Sequence, residues 1–230
     1  MRRVLFLLIF GLAGTGILIG LGTWQVQRLT WKQDVIAQID ARLTADPVAL
    51  PATPDPDRDA YLPVTATGMI GPDYIRVLVS QKHVGPGYRI ISALDLPDGA
   101  ILVDRGFVAI DDLGSADLAG PPAPQTIIGN LQWPQETDKF TPAPDLGGNI
   151  WFARDVTAMA ETLDTRPILL VQRVASFPNA KLTPLPVDTS AIPNDHLNYA
   201  ITWFSLALIW AAMTAYFLWR TRAQGQEPTR

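Results

Sequence analysis

Two long apolar segments, one near each end of the chain, constrain the fold more than any other feature. The first runs from Val4 to Val26 and the second from Tyr199 to Trp219, and neither contains a charged residue. A hydrocarbon core of ~30 Å is crossed by about 20 helical residues at a rise of ~1.5 Å each. Each segment therefore predicts one transmembrane helix, with a globular domain between them.

The charges divide unevenly between the outer flanks of these segments and the middle of the chain. The flanks carry a net charge of +4 and the middle carries −8. Short arginine-rich flanks are typical of the cytoplasmic side of a membrane. We therefore expect both termini to be cytoplasmic and the acidic domain to be periplasmic. The predicted division is 1–3 cytoplasmic, 4–26 transmembrane, 27–198 periplasmic, 199–219 transmembrane and 220–230 cytoplasmic.

Several classes of protein are disfavoured by composition. The acidic middle lacks the clustered Lys and Arg that bind phosphates, so we expect no nucleic-acid partner. The chain has no cysteine, which excludes disulfides, thiolate metal sites and a cysteine nucleophile. The first apolar segment is too long for a signal peptide and is followed by no A-x-A site, so a retained anchor is expected. Because no Ser- and Arg-rich amphipathic leader is present, a bacterial inner membrane is the expected location.

The middle of the chain predicts one mainly antiparallel β domain with one or two helices, so the fold class is a membrane α+β protein. The first helix should continue to residues 41–45, before a proline-rich connector at 46–59. Pro97-Asp98-Gly99 is the clearest hairpin turn. The predicted strands are 62–70, 73–82, 88–96, 100–110, 126–133 and 167–175, and the predicted helix is 153–163. A barrel-like curl of the sheet is compatible with this pattern.

Glycines are spaced for close helix packing in the first segment. Gly16 and Gly20 form a G-x-x-x-G, and Gly22 lies just beyond them. Small residues one turn apart let another helix approach closely. The partner is either the second segment of this chain or a helix of another protein.

Two aromatic stripes with helical spacing lie where the chain leaves the first segment and where it enters the second. The stripes are Trp24, Arg28 and Trp31, and His196, Tyr199 and Trp203. Trp, Tyr and Arg line many membrane interfaces, and that is the simpler interpretation. The alternative is haem binding, because imidazole is a good iron ligand and aromatic rings with an arginine suit a flat ring with propionates.

No enzyme motif accompanies these stripes. G-x-S-x-G, P-loop and G-x-G-x-x-G patterns do not occur, and the two histidines, His83 and His196, lie in no familiar metal-binding spacing. His83 is expected to be a solvated loop residue. Asp104 and Arg105 are expected to form a structural ion pair or a contact point rather than a catalytic dyad. The chain is therefore predicted not to be an enzyme.

Three motifs occur in a fixed order and are framed by the two apolar segments. They are Gly22-x-Trp24-Gln25-x-x-Arg28-x-x-Trp31-Lys32, Ile101-Leu102-Val103-Asp104-Arg105-Gly106-Phe107-Val108, and Asn194-Asp195-His196-Leu197-x-Tyr199-Ala200-x-Thr202-Trp203-Phe204. Over nearly the whole chain this pattern resembles the Surfeit locus protein 1 family. The middle motif departs from that family's usual Val-Asn-Arg-Gly-Trp-Val at Asp104 and Phe107.

The resemblance implies an assembly factor for haem–copper cytochrome c oxidase. Bacterial members of the family are regarded as carriers that take haem a from haem a synthase and help to insert it into oxidase subunit I. The alternative is a haem-free membrane scaffold that stabilises nascent subunit I. The lipid bilayer is a partner in both cases.

The resemblance also assigns roles to individual residues. The family's proposed haem ligand corresponds to His196, which would bind the iron. We expect Trp24 and Trp203 to flank the ring, Tyr199 to lie beside them, and Arg28 to pair with a propionate. The positions expected to pack within the chain or against a partner are Gly16, Gly20, Gly22, Trp31, Arg105 and Gly106.

Overall fold

The chain folds as two compact units. One comprises Met1–Gln38 with Ser190–Arg230, and the other is Ile39–Thr189. The computed structural model describes residues 2–82, 84–120, 122–176, 181–190 and 192–224.

The first unit is a pair of long helices. Helix α1 covers Arg2–Leu43 and has a length of ~63 Å at ~1.5 Å per residue, about twice what a bilayer core needs. The predicted extension beyond the first apolar segment is therefore confirmed. The C-terminal helix covers His196–Gln224. Both helices are long and apolar enough to cross a membrane once, as a two-pass protein requires.

Glycines of α1 pack against large side chains of the C-terminal helix. A Cβ added to Gly11 would lie 2.1 Å from Thr214, and one added to Gly14 would lie 2.4 Å from the Trp210 indole. At Gly22 the Phe204 ring would be 2.7 Å away. Small residues are thus required along this side of α1.

The predicted G-x-x-x-G does not take part in that contact. A Cβ added to Gly16 or Gly20 would have no described neighbour within 4 Å. Residues 16 and 20 lie on a different side of α1 from the Gly11, Gly14 and Gly22 side. Of the two partners expected for Gly16 and Gly20, the second span is not one that they pack against, and a helix of another protein stays a prediction. Gly22 does lie against Phe204 of the second span.

The second unit is a small β-barrel. Its strands are β1 (Val48–Ala49), β2 (Pro63–Gln81), β3 (Gly85–Asp95), β4 (Ile101–Ala109), β5 (Gln125–Gln132), β6 (Ile150–Trp151) and β7 (Arg166–Gln172). The order β2-β3-β4-β7-β5 closes on itself because β5 also pairs with β2. The return of β5 to lie beside β2 is a Greek-key connection. Most pairings are antiparallel, but β4 and β7 run parallel, as do the short β1 and β6 against β2.

One long strand replaces two predicted ones. Gly71-Pro72 was expected to separate strands 62–70 and 73–82, but β2 runs through them. The pairing with β3 shifts register between Ile70 and Tyr74, so the proline sits in a bulge, where its missing N–H costs no ladder hydrogen bond. The bend lets one half of β2 pair with β5 and the other with β3, which closes the barrel.

Strands β4 and β7 are buried on both faces. In β7, Ile168 and Leu170 belong to a cluster to which all five barrel strands contribute, so this cluster is the barrel interior. Leu169 and Val171 alternate with them and pack with Met159 of a short helix, α2 (Val156–Thr162), outside the barrel. The side chain of Asp155 caps that helix by accepting from the Ala158 N–H at 3.1 Å. The proline-rich connector adds only a single helical turn, Pro56–Asp59.

Candidate functional site

A buried ionic network surrounds Asp104 of β4. Asp104 is fully buried, and its Oδ2 pairs with the guanidinium of Arg89 and lies 3.7 Å from Arg154 Nη1. Its Oδ1 accepts the backbone N–H of Gly106 at 3.0 Å. Arg154 extends the network outward, because its Nε donates to Glu136 Oε1 at 3.0 Å. Every oxygen of the buried carboxyl group therefore has a partner within the barrel.

The pKa values of the two acids of this network shift in opposite directions. Desolvation raises the pKa of Asp104, although Arg89 and Arg154 oppose that shift. Desolvation also acts to raise the pKa of Glu136, but hydrogen bonds and the charge of Arg154 outweigh it, so the pKa of Glu136 is lowered. The network thus holds Glu136 ionised while keeping Asp104 away from water.

Arg105 points to the other side of β4 from Asp104, because successive strand residues face opposite ways. Its side chain is buried, and Nη1 donates to the Leu118 carbonyl at 2.6 Å and to Ser92 Oγ at 3.3 Å. Burial lowers the pKa of Arg105 to about 10. The predicted Asp104–Arg105 ion pair is therefore wrong, since Asp104 pairs with Arg89 and Arg154 instead. Arg105 is an interior residue that secures a loop.

Gly106 admits a returning segment of chain beside β4. Its φ is +116°, and an added Cβ would lie 2.1 Å from the Thr183 carbonyl oxygen. Phe107 and Thr183 exchange two backbone hydrogen bonds, of 2.7 and 2.9 Å. Only glycine fits at a position with that φ and that close approach. Gly106 is thus a packing position within this chain.

The middle motif consequently explains how the barrel is held together. Asp104 is engaged by Arg89 and Arg154, and Arg105 by Ser92 and the Leu118 carbonyl. The described residues contain no group of three or more His, Cys, Asp or Glu that could hold a metal ion. The His83 expectation lies outside the described residues. The chemistry that the motifs suggested must therefore be sought in the helix pair.

The helix pair brings His196 against Gln25. His196 is the first residue of the C-terminal helix, which we label α3, and its Nδ1 lies 2.7 Å from Gln25 Oε1 of α1. Gln25 is buried although it is polar. A buried amide needs a hydrogen-bond partner, and the imidazole supplies it. The edges of the two helices that carry the aromatic stripes are thus adjacent, as expected.

With the amide oxygen of Gln25 facing the ring, this hydrogen bond selects one tautomer of the imidazole. An amide oxygen only accepts, so Nδ1 must carry the proton that it donates to Gln25. Nε2 of a neutral His196 then carries a lone pair, and no described residue hydrogen-bonds to it. A histidine whose Nδ1–H is held by a second residue and whose Nε2 is free has the arrangement of a metal-ligating imidazole.

The arginine of the first stripe is held on its own helix. The Arg28 guanidinium lies over the Trp31 ring, 4.3 Å from its centroid, in a cation–π contact. Arg28 forms no ion pair with any described acid. The five donors of its planar group therefore remain available to an anion such as a carboxylate.

On each helix, residues that contact the other helix recur at intervals of seven residues. Gly11 and Gln25 are two such steps apart on α1, as are His196 and Trp210 on α3. The two rows meet at both ends, because Trp210 Nε1 donates to the Gly11 carbonyl at 3.2 Å while His196 bonds Gln25. Trp203 lies midway in this row and is half-buried. By this periodicity Trp203 lies on the side of α3 that carries His196 and Trp210.

The other two aromatic residues are on exposed sides of their helices. Trp24 is 51% exposed and Tyr199 is 56% exposed. These two rings are accessible, whereas Trp203 is half-buried, and the flanking of one ligand by Trp24 and Trp203 stays a prediction. Gln25 belongs to the first motif, but the sequence pattern assigns it no role. Its uncharged amide lies just inside the end of an apolar segment, and that position indicates a buried hydrogen-bond partner.

Comparisons with known proteins agree with the three motifs. The SURF1 family model matches residues 12–208. The chain is 31% identical over 223 residues to a SURF1-like protein of Drosophila melanogaster, covering 87% of this chain and 72% of that protein. It is 29% identical over 212 residues to a SURF1-like protein of Rickettsia felis, covering 89% and 92% of the two chains. Against Surfeit locus protein 1 of Homo sapiens it is 29% identical over 226 residues, covering 87% and 72%.

Proposed function

The chain belongs to the SURF1 family, and on that basis we propose that it is a non-enzymatic assembly factor for haem–copper cytochrome c oxidase. In this proposal it receives haem a from haem a synthase and delivers it to oxidase subunit I. The observation that carries the haem part is the hydrogen bond between His196 and Gln25, which leaves one imidazole nitrogen free.

His196 Nε2 is the proposed axial ligand of the haem iron. Gln25 orients the ring by accepting a hydrogen bond from Nδ1–H, as partners of metal-bound histidines do. A single ligand at the edge of a helix pair suits a carrier, because the cargo must also be released. No second described histidine competes for the iron.

Residues near His196 on the helix pair suit the propionates and the macrocycle of haem a. Haem a carries two anionic propionates, and Arg28 has free donors for one of them. The exposed faces of Trp24 and Tyr199 suit a flat macrocycle. Trp31 holds the guanidinium at its position through the cation–π contact.

The proposed location is a bacterial inner membrane, with both termini cytoplasmic and the barrel periplasmic. The two apolar helices and the excess of arginine in the outer flanks support it. In this orientation the Gln25–His196 end of the pair lies near the periplasmic surface of the bilayer. Propionates could then remain at the polar boundary while the apolar part of the cargo stays in the membrane.

Haem occupancy in two histidine variants tests the proposal. The full chain, purified in detergent from cells that make haem a, should carry haem a, and His196→Ala should lose most of it. His83→Ala is the matched control, because His83 is the chain's only other histidine. Full haem a occupancy with an unchanged Soret band in His196→Ala would exclude His196 as the ligand.

A haem-free scaffold for subunit I is the second candidate, and the open Gly16/Gly20 face favours it. A Cβ added to either glycine would have no described neighbour within 4 Å, so the face could receive a helix of a partner. Oxidase yield in cells with Gly16→Leu and Gly20→Leu measures that role. A loss of oxidase with unchanged haem a content in the purified variant would support the scaffold, and a loss of both would not.

A further inference from the structure

An apolar groove runs along one open side of the helix pair, deeper in the membrane than His196. It has a volume of about 380 Å³ and is lined by Gly14, Ile17, Leu18, Leu206, Ile209, Trp210 and Met213. None of these residues is charged, so the groove suits an elongated hydrocarbon chain rather than a polar ligand.

The floor of this groove is fixed in place. Trp210 Nε1 donates to the Gly11 carbonyl at 3.2 Å, which anchors the indole to α1. Gly14 leaves room for that ring, since a Cβ there would lie 2.4 Å from Trp210 Nε1. A rigid indole set against glycine gives a defined surface, unlike a gap between mobile aliphatic side chains.

The walls of the groove continue into the proposed haem site. Ile17 lines the groove on α1, and Trp24 follows it by seven residues on the same face. Leu206 lines it on α3, and Tyr199 precedes it by seven residues. Trp24 and Tyr199 therefore stand on the two walls, about 10 Å from the groove residues at ~1.5 Å per residue.

We propose that this groove holds the isoprenoid tail of haem a, and this inference rests on the proposed function. With the iron at His196 and the ring between Trp24 and Tyr199, the tail extends along the helix pair toward Ile17 and Leu206. The groove then selects the farnesylated haems, because haem b has no tail to place there. Van der Waals contact with a preformed groove favours the tail over a disordered lipid or detergent chain.

Three haems separate the contribution of the tail from that of the iron ligand. Haem o has the farnesyl tail without the formyl group of haem a, and haem b has neither. Titration of the haem-free, full-length protein in detergent should give about tenfold tighter binding of haem o and haem a than of haem b. Equal affinity for haem o and haem b would overturn the inference while leaving His196-dependent haem binding intact.

Filling the groove supplies the matched test. Ile17→Trp should weaken haem o binding about tenfold and leave haem b binding unchanged. Ile19→Trp is the control, because Ile19 is also an exposed isoleucine of α1 but does not line the groove. Equal weakening of both haems by Ile17→Trp, or no weakening of either, would contradict a tail site.

Two further outcomes also count against the inference. If the wild-type chain binds no haem, the proposed function fails and the tail site fails with it. If phospholipid co-purifies with the wild type but not with Ile17→Trp, and haem o does not displace it, the groove is a lipid site.

Discussion

The barrel and the helix pair both bury polar side chains, but they engage them to different extents. In the barrel, both oxygens of Asp104 have partners, and Arg154 continues the network to Glu136. In the helix pair, His196 bonds Gln25 through Nδ1 alone, and no described residue takes Nε2. Both carboxylate oxygens at the centre of the barrel network therefore have partners. In the helix pair, the Nε2 lone pair of His196 has no described partner and can ligate a metal.

This difference separates residues that hold the fold from residues that can hold a ligand. Asp104, Arg105 and Gly106 form the most compact motif of the chain, yet each is used by its own neighbours. A ligand needs unsatisfied groups at an accessible position. The Gln25–His196 end of the helix pair meets both conditions, because no described residue hydrogen-bonds to His196 Nε2.

Removal of the central charge of the barrel should have the largest effect. Asp104→Ala leaves Arg89 and Arg154 facing each other without their shared acid, so the free energy of unfolding should fall by about 3–5 kcal/mol. Denaturant unfolding of the barrel measures this free energy. The control is Glu161→Ala, at an exposed position on α2, which should change the free energy of unfolding by less than about 0.5 kcal/mol. Similar values for the two variants would mean that the network is not what stabilises the barrel.

Overfilling the contact between the helices should have the next largest effect. Gly14→Leu places side-chain atoms where the Trp210 indole lies and should destabilise the pairing by about 1–3 kcal/mol. Gly16→Leu is the control, because its added Cβ has no described neighbour within 4 Å.

Distances between the helices report this change directly. The chain has no cysteine, so two introduced cysteines can carry spin labels for pulsed EPR. We expect a longer and broader distance distribution for Gly14→Leu and an unchanged one for Gly16→Leu. Equal broadening in both variants would contradict the assignment of the packed face.

Loss of the residue that orients His196 should weaken iron binding without abolishing it. Gln25→Leu removes the acceptor of the Nδ1 proton, and loss of such a partner lowers metal affinity about 10- to 100-fold. Haem titration of Gln25→Leu and of the exposed control Gln27→Leu measures this effect. If both variants bind haem as the wild type does, Gln25 has no orienting role.

The smallest expected effect concerns the outer acid of the barrel network. Arg154 lowers the pKa of Glu136, so its stabilising contribution is present above the ordinary value of about 4.3 and is lost as the pH falls through the folded-state value. Because the Glu136 side chain is 39% exposed, solvent screening limits the contribution to at most about 1 kcal/mol.

Unfolding curves between pH 6 and pH 3 test that sign. Glu136→Gln should be less stable than the wild type at pH 6, and the difference should shrink toward pH 3. Glu161→Gln should show no pH-dependent difference. A difference between Glu136→Gln and the wild type that grows as the pH falls would reverse the assigned direction.

The sequence predicted those features that depend on local pattern. The two spans follow from apolar length, and the hairpin at Pro97-Asp98-Gly99 joins β3 to β4 as expected. The end of α1 at Leu43 follows from the proline-rich connector. Closure of the barrel did not follow, because it depends on the bulge at Gly71-Pro72, which looks like a strand end in sequence.

The candidate site was predicted only in part, for a similar reason. His196 and the aromatic stripes were visible as residue types at helical spacing. Which of them face the second helix depends on the rotation of α1 against α3, and the sequence does not specify that rotation. The glycines at 16 and 20 had the familiar spacing, but those at 11, 14 and 22 make the contact.

Chemical rescue of the proposed iron ligand is the most direct test of the role assigned to the helix pair. His196→Gly should lose the Soret and EPR spectra of bound haem a, and added imidazole should restore both by occupying the vacated position beside Gln25. Wild-type spectra in His196→Gly without imidazole, or no recovery in a folded variant that still binds imidazole, would contradict ligation by His196.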